Sequence, residues 1–423
     1  METTNFHLRA GYGEIEITPP LGTDLAGFGF YLDRWAEIVR DKLKARSLCL
    51  NCGQELIFII SLDLLSLDVN FANKIRGRIS KKTGASFKNI LLACTHTHSG
   101  PAGQMLPGLG KPNQDFIRKL PGLFLEAALK SRNNLQEAEF GFHAEAVEPI
   151  GYNRRLNNFS EIDPWLKVGV FKRKKNYIYL LNYACHPVTL GPTKEISSDW
   201  PGATVKEIEK SGHKALVLQG FCGDIDPVTY INRRLGATRE DYVLCGKIIA
   251  SRAVKSLKYI KFKNEIMIGA AESRIRLPLS VFPKESLGQE IETALEANKQ
   301  FPNAARVIHL WSNKIKKHYD TYAQSPWLEN VPIQVIRIGE MRILGLPGEV
   351  FCQIGLKLRK QYPSLMTVGY ANGDVGYLPT EEAYAKTDDY ACYCAPKFYG
   401  LFNFKPQVES VLLEESLKLI DSI

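Results

Sequence analysis

The sequence predicts an α/β protein, a layered sheet with flanking helices. Three observations carry this. Apolar strand-like runs alternate with amphipathic runs of helical period almost to the end of the chain. No internal repeat, low-complexity tract or Pro/Gly/Ser-rich linker divides the 423 residues, so residues 1–423 are expected to form a single domain. Hydrophobic residues make up 45% and charged residues 23%, the balance of an ordinary globular chain. No run approaches eighteen consecutive apolar residues, which argues against a membrane-spanning helix.

In chain order, SLCLNCGQELIFII reads as a hairpin turning at NCG. Cys49 and Cys52 are then structural, because no second pair completes a zinc site. ELIFIISLDLL (55–65) is a buried strand, and VNFANKIRGRISKKTG is an amphipathic helix closed by Gly84. NILLACT is the next strand. DFIRKLPGLFLEAALKSRNN follows as a helix that Pro121 is expected to interrupt. YIYLLNYAC (177–185), KALVLQG (214–220), MRILGL (341–346) and LMTVGYA (365–371) repeat the strand pattern. Helices are expected near 200–211, 240–257, 285–324 and 349–361, and VESVLLEESLKLI closes the chain as an amphipathic helix. The long hydrophilic stretch near 285–324 reads as a helical insertion or cap on the single domain.

The formal charge of +9 is spread through KFKNE, FKRKKN and NKIKKHY, which reads as solvated basic faces. Such faces are compatible with a weak attraction to anionic membrane surfaces or acidic substrates. No RRM, zinc-finger or helix-turn-helix pattern occurs, so no nucleic-acid partner is expected. Nine cysteines, an odd number, lie mostly in apolar runs (Cys185, Cys222, Cys245, Cys352), as buried reduced thiols do. The start, METTNFHLRAGYGEIEITPP, lacks the basic and apolar regions of a signal peptide. Together these give the expectation of a cytoplasmic protein.

Function is legible at the strand ends. In open α/β sheets, ligands bind beyond the carboxyl ends of the strands. Here NILLACT is followed by His96 and His98, and YIYLLNYAC by His186. ALVLQGFC is followed by Asp224 and Asp226, RILGLPG by Glu349 in the expected first turn of a helix, and TVGYANGDVG by Tyr377. Each has an ordinary reading alone: a polar turn, a satisfied turn histidine, or an acid complementing a helix dipole. Five agreeing ends of one inferred sheet point instead to a metal site. Three imidazoles and a carboxylate are the N/O set that zinc prefers, and a catalytic zinc keeps one position for water.

These residues and their surroundings resemble a known family. LRAGYGEIEITPPLGTDLAGF, SLDLLSL, THTHSGP, YNRR, ACHPVTLG, SSDWPG, GDIDP, LPGE and ANGDVGYLPTEEAY occur in order through nearly the whole chain. In this the chain resembles the catalytic domain of the neutral, non-lysosomal ceramidases, zinc amidases that cleave the N-acyl bond of ceramide. The resemblance implies that His96, His186, Glu349 and Tyr377 hold Zn2+, with His98 beside the reacting centre or also on the metal. It implies that Arg154 contacts substrate or the developing oxyanion, and that Tyr390 stabilises the tetrahedral intermediate. The spacing from Tyr377 to Tyr390 differs by about a residue from the family pattern. A serine of the family's GDxSP is Asp226 here, and the chain stops at Ile423 without the family's immunoglobulin-like C-terminal domain.

The implied reaction is hydrolysis of an N-acyl amide by water that zinc activates, bringing its pKa from about 16 towards about 7. His98 is the expected acid for the leaving amine. Asp226 is expected either to orient His98 or a water, or to serve as a turn aspartate. Its charge suggests a substrate smaller or more polar than ceramide. Two rivals stay open: a TIM-barrel or other metal hydrolase with its own His-x-His, and a non-catalytic lipid- or ligand-binding relative.

Overall fold

The computed structural model describes residues 7–30, 33–103, 110–231, 240–301 and 303–423. The reading of the first twenty residues as leader-free therefore rests in part on residues 1–6, which lie outside that set. The chain begins with β1 (Arg9–Glu16), β2 (Ile38–Val39), β3 (Lys44–Cys52), β4 (Glu55–Leu62), α1 (Val69–Thr83), β5 (Ile90–Cys94), α2 (Gln114–Asn133) and β6 (Gln136–Ala146). There follow β7 (Gly151–Asn153), β8 (Trp165–Arg173), β9 (Tyr177–Tyr183), β10 (Glu195–Ile196), α3 (Asp199–Glu209), β11 (Lys214–Gln219), β12 (Ile225–Pro227) and α4 (Asp241–Lys255). Next come β13 (Ile268–Ser280), α5 (Leu287–Ala297), α6 (Ala304–Gln324), β14 (Trp327–Ile338), β15 (Met341–Gly345) and β16 (Glu349–Val350). The chain ends with α7 (Cys352–Arg359), β17 (Leu365–Val368), β18 (Tyr377–Leu378), α8 (Ala395–Tyr399), β19 (Asn403–Phe404) and α9 (Val408–Asp421).

Two sheets pack face to face, with helices outside each. The larger runs β11-β9-β8-β6-β1-β3-β4-β5, and the smaller runs β17-β15-β14-β13-β19. Strand alternation makes the layers. On β4, Ile57 and Ile59 join Ile336, Ile338 and Ile343 of the smaller sheet in one core. Phe58, Ile60 and Leu62 point the other way, into a core shared with α1 and α2. On β9 and β11, Tyr179, Leu181, Ala215 and Val217 pack outward against α3 and α4. The outer face of the smaller sheet, with Ile333, Val335 and Leu344, packs against α5 to α9. The order of layers is helix, sheet, sheet, helix. It is not a barrel of eight parallel strands.

Both ends of the larger sheet meet the smaller one. The larger sheet curls, so that Ser61 on β4 donates to the Val217 carbonyl on β11 at 2.7 Å. Asn182 on β9 donates to the Thr367 carbonyl on β17 at 2.9 Å, and Ala371, just past β17, bridges to Ala93 on β5. The carboxyl ends of β5, β9, β11, β15 and β17 therefore converge, although they belong to two sheets and not to the single sheet expected.

Most local expectations agree with the structure. α1 starts where the Asp68 side chain accepts the Phe71 N–H, and ends at Gly84 in a left-handed conformation (φ 78°). The hairpin at Cys49–Cys52 forms between β3 and β4. Two expectations differ. Pro121 lies inside a continuous α2, whose buried stripe (Phe116, Ile117, Leu120, Phe124, Ala128) holds the helix together despite the missing N–H. Glu349 is in a strand, as described below. The 285–324 stretch forms α5 and α6, with Pro302 between them outside the described residues. Val307, Ile308, Trp311 and Ile315 of α6 are buried in the core over the smaller sheet.

Candidate metal centre

His96 follows β5 in a left-handed conformation (φ 65°), a strained geometry for a side chain of this size. The surroundings hold it there. Its N–H donates to the Leu64 carbonyl at 3.0 Å, and its ring stacks on Tyr370 with centroids 3.8 Å apart. Nδ1 lies 2.8 Å from the Leu65 carbonyl. A carbonyl only accepts, so Nδ1 carries the proton and Nε2 keeps its lone pair.

His186 repeats the arrangement after β9. Its Nδ1 lies 2.7 Å from the Cys222 carbonyl and donates to it, which turns Nε2 towards the centre. Burial would lower the ring's pKa, but Cys222 and the Glu349 carboxylate outweigh it and push it up to about 10. A bound metal would displace the Nε2 proton. Asp199, also left-handed (φ 51°), shapes the neighbouring loop by accepting the Leu190 N–H at 3.4 Å.

Glu349 completes the group. The sequence pattern puts it in the first turn of a helix, but it sits in β16, paired in parallel with Tyr377 of β18. Its N–H donates to the Gly376 carbonyl at 2.9 Å, so that group serves the ladder. α7 begins only at Cys352, whose N–H is taken by the Asp224 carboxylate at 2.8 Å. Glu349 Oε2 lies 3.4 Å from His96 Nε2 and 3.3 Å from His186 Nε2. Both Oε2 and His186 Nε2 are buried without a hydrogen-bond partner. Burial alone would raise the carboxyl's pKa, but His96 and His186 outweigh it and hold Glu349 well below the usual carboxylate range.

Orphaned buried polar atoms are costly, and a cation between these two and His96 Nε2 would satisfy them. The donor set fits zinc: two imidazole nitrogens and a carboxylate oxygen, with the Tyr377 phenol on the strand beside Glu349. A group of His96, His98 and His186, whose ligating atoms lie within 4.8 Å of one another, can also hold a metal ion.

His98 has a different chemistry. Its Nδ1 accepts the Phe28 N–H at 3.1 Å, so a neutral ring carries its proton on Nε2, which points at His96 Nε2 3.1 Å away. Burial, with His96 and His186 close by, keeps its pKa well below the ordinary value. His98 therefore faces the centre as a neutral donor. Gly27 (φ 94°) permits this approach, since a Cβ there would sit 2.5 Å from His98 Nδ1.

Arg154, at the end of β7, donates to Asp226 at 3.1 Å, to the Gly223 carbonyl at 2.6 Å and to the Tyr377 hydroxyl at 2.9 Å. Asp226 is 2% exposed, and its ion pair with Arg154 neutralises its charge locally. Asp224 stands apart from the reactive atoms: it caps α7 and accepts from Asn153 at 3.1 Å. Gly223 admits β16, because a Cβ there would meet the Glu349 carbonyl at 2.3 Å. Tyr390 stands edge-on to Tyr377, ring centroids 5.7 Å apart, and is 41% exposed.

Several contributors are invisible in the sequence. Tyr399 donates to Glu349 Oε1 at 2.5 Å, and Tyr370 stacks on His96. Arg155 pairs with Asp389 at 2.7 Å, and Asp389 also accepts the Ala391 and Cys392 N–H groups beside Tyr390. Only the second arginine of YNRR offers a signal.

Comparison with known proteins points the same way. No family model matches the chain. It is 23% identical over 412 residues to the neutral ceramidase of Pseudomonas aeruginosa, covering 79% of this chain. The chain spans 60% of that relative's length. A shorter match, 38% identical over 64 residues, links it to the neutral ceramidase of Mycobacterium tuberculosis, covering 13% of this chain and 10% of that one. The crystal structure of the Pseudomonas aeruginosa neutral ceramidase superposes with a TM-score of 0.75 at 18% identity, covering 98% of this chain and 74% of that one. A ceramidase complexed with C2 gives 0.73 at 16% identity, covering 99% and 76%. The resemblance to neutral ceramidases thus holds in sequence, and the α/β fold is theirs.

Proposed function

We propose that the protein is a zinc-dependent hydrolase of N-acyl amides, with His96, His186, Glu349 and Tyr377 as the metal's protein ligands. The observation that carries this is the convergence of His96 Nε2 and His186 Nε2 on Glu349 Oε2, at 3.4 and 3.3 Å, with two of the three atoms lacking a partner. When bound, the metal supplies Lewis acidity to the amide carbonyl and to water. The chain's own residues do the rest. Arg154, fixed by three acceptors, sets a cation beside the negative charge that develops on the amide oxygen. Tyr390 adds a hydroxyl from the open side. As the oxygen of water joins the acyl carbon and the C–N bond breaks, the proton that water loses passes to the leaving nitrogen. His98, expected from the sequence as the acid, is neutral with Nδ1 taken by the Phe28 N–H. It keeps its proton and donates Nε2–H as a hydrogen bond to the reacting group.

Similarity to neutral ceramidases supports an acyl amide with lipid character, and the substrate need not be ceramide itself. The expectation that Asp226 turns its charge on the substrate loses its support, because Arg154 holds that carboxylate. We place the protein in a reducing compartment, a reading supported by its nine free thiols. Among the described residues no helix is long and apolar enough to cross a membrane.

The test is elemental analysis of the purified protein with a screen of N-acyl amides that includes a fluorescent ceramide. About one zinc per chain, with hydrolysis abolished by chelation and restored by zinc, is expected. Protein that holds no metal and cleaves no amide would overturn the reading.

A further inference from the structure

The two oxygens of the Glu349 carboxylate have different surroundings. Oε2 faces His96 and His186 and makes no hydrogen bond. Oε1 accepts the Tyr399 hydroxyl at 2.5 Å, in the interior, where Glu349 is 4% and Tyr399 7% exposed. A phenol bonded to an ionised carboxylate is a charge-assisted donor, stronger and shorter than a neutral one. It occupies one oxygen and fixes the rotation of the carboxylate plane. The other oxygen is left to point at the imidazoles.

We propose that Tyr399 is a positioning residue for the metal: it holds Glu349 so that a single oxygen, Oε2, is presented as ligand. This rests on the metal reading above. It adds a requirement that none of the four ligands states, since a free glutamate can turn and offer either oxygen or both.

The placement of Tyr399 is itself built in. It is the last residue of α8, its carbonyl accepts Lys314 Nζ at 2.9 Å, and the Leu401 carbonyl accepts Trp311 Nε1 at 2.9 Å. Lys314 and Trp311 both belong to α6. The helix that reads as an add-on in the sequence thus grips the segment that aims the carboxylate. Outer partners of this kind typically change metal affinity about 10- to 100-fold when removed.

The experiment compares the full-length wild type, Tyr399→Phe and Lys314→Met. Each is stripped of metal, and zinc affinity is measured by competition with a chromophoric chelator. The visible absorption of the cobalt-substituted protein is recorded as a report on ligand geometry, and the melting of the metal-free protein as a report on packing. Tyr399→Phe is expected to bind zinc about 10- to 100-fold more weakly and to shift the cobalt bands. Lys314→Met keeps the hydroxyl and should show a smaller loss in the same direction, which also tests the proposal if Tyr399→Phe does not fold. Wild-type affinity and an unchanged cobalt spectrum in folded Tyr399→Phe, even with lower melting, would reduce Tyr399 to a structural residue and overturn the inference alone. A wild type with no zinc affinity would remove the metal reading and this inference together.

Discussion

The Nε2 atoms of His96 and His98 lie 3.1 Å apart, yet their rings have opposite hydrogen-bonding character. His96 gives its Nδ1 proton to the Leu65 carbonyl, whereas His98 Nδ1 receives the Phe28 N–H. The backbone thereby sorts two identical side chains, at positions 96 and 98, into an unprotonated Nε2 that accepts and a protonated Nε2 that donates. One can bind a metal; the other can donate a hydrogen bond to a reacting group.

The consequence is a split between metal content and turnover. His96→Ala should lose most of its zinc. His98→Ala should keep it and lose about a hundredfold or more in kcat, as expected for removal of a preorganised donor to the reacting group. Elemental analysis beside single-turnover assays separates the two effects. Equal metal loss in both variants would show that His98 is also a ligand.

Gly27 gives the same assignment a second test. With φ at 94° and a Cβ position 2.5 Å from His98 Nδ1, Gly27→Ala must displace the ring or the loop that carries the Phe28 N–H. A shift of about 1 Å at a reacting group costs about a hundredfold in rate. Metal content should be unchanged and kcat should drop by that order. A Gly27→Ala enzyme with wild-type kcat would mean that the Phe28 bond does not set the His98 proton.

How much of this the sequence discloses depends on the kind of signal. His96, His186 and Glu349 each follow a readable apolar strand, so their meeting can be anticipated from chain order and the strand-end rule. The second sheet cannot. β13 carries Glu272, Arg274 and Arg276 among its apolar residues, so it reads as a surface stretch rather than one layer of a sandwich. Glu349 reads as helical because the stretch from it to 361 has the pattern of a helix. Its pairing with Tyr377 is a long-range contact that no local pattern encodes. Tyr399 and Asp389 act through partners 50 and 234 positions away. Nothing around either marks it out.

Asp389 links two walls of the site. It accepts from Arg155 Nε and caps the turn that carries Tyr390. Asp389→Ala should cost about 3 kcal/mol by denaturant unfolding, the lower end for breaking a buried pair, and should lower kcat through Tyr390. Asp389→Asn keeps the cap but not the charge, so it should recover part of the stability. Indistinguishable losses in the two variants would assign the whole effect to the ion pair and none to the cap.

Asp226, where the resembling family has serine, is the last case. Two accounts of its charge make different predictions. If the carboxylate faced the substrate, it would disfavour an apolar lipid amide, and Asp226→Ser would shift preference towards ceramide. The geometry favours the other account: Asp226 is 2% exposed and 3.1 Å from Arg154, so it anchors the guanidinium. Asp226→Ser would leave Arg154 with the Gly223 carbonyl and the Tyr377 hydroxyl but without that counter-charge. Breaking such a pair costs about 3–5 kcal/mol of stability. The loosened guanidinium should lower kcat/KM for every amide alike, because it acts on the reacting carbonyl that all share. The measurement is the ratio of kcat/KM for fluorescent ceramide to that for short N-acyl amines, in wild type and in Asp226→Ser. A ratio that stays within about threefold while both values fall is expected, well short of the roughly 1.4 kcal/mol that a tenfold change represents. A tenfold rise in the ratio would show that the carboxylate reaches the substrate after all, and that Asp226 is a determinant of specificity.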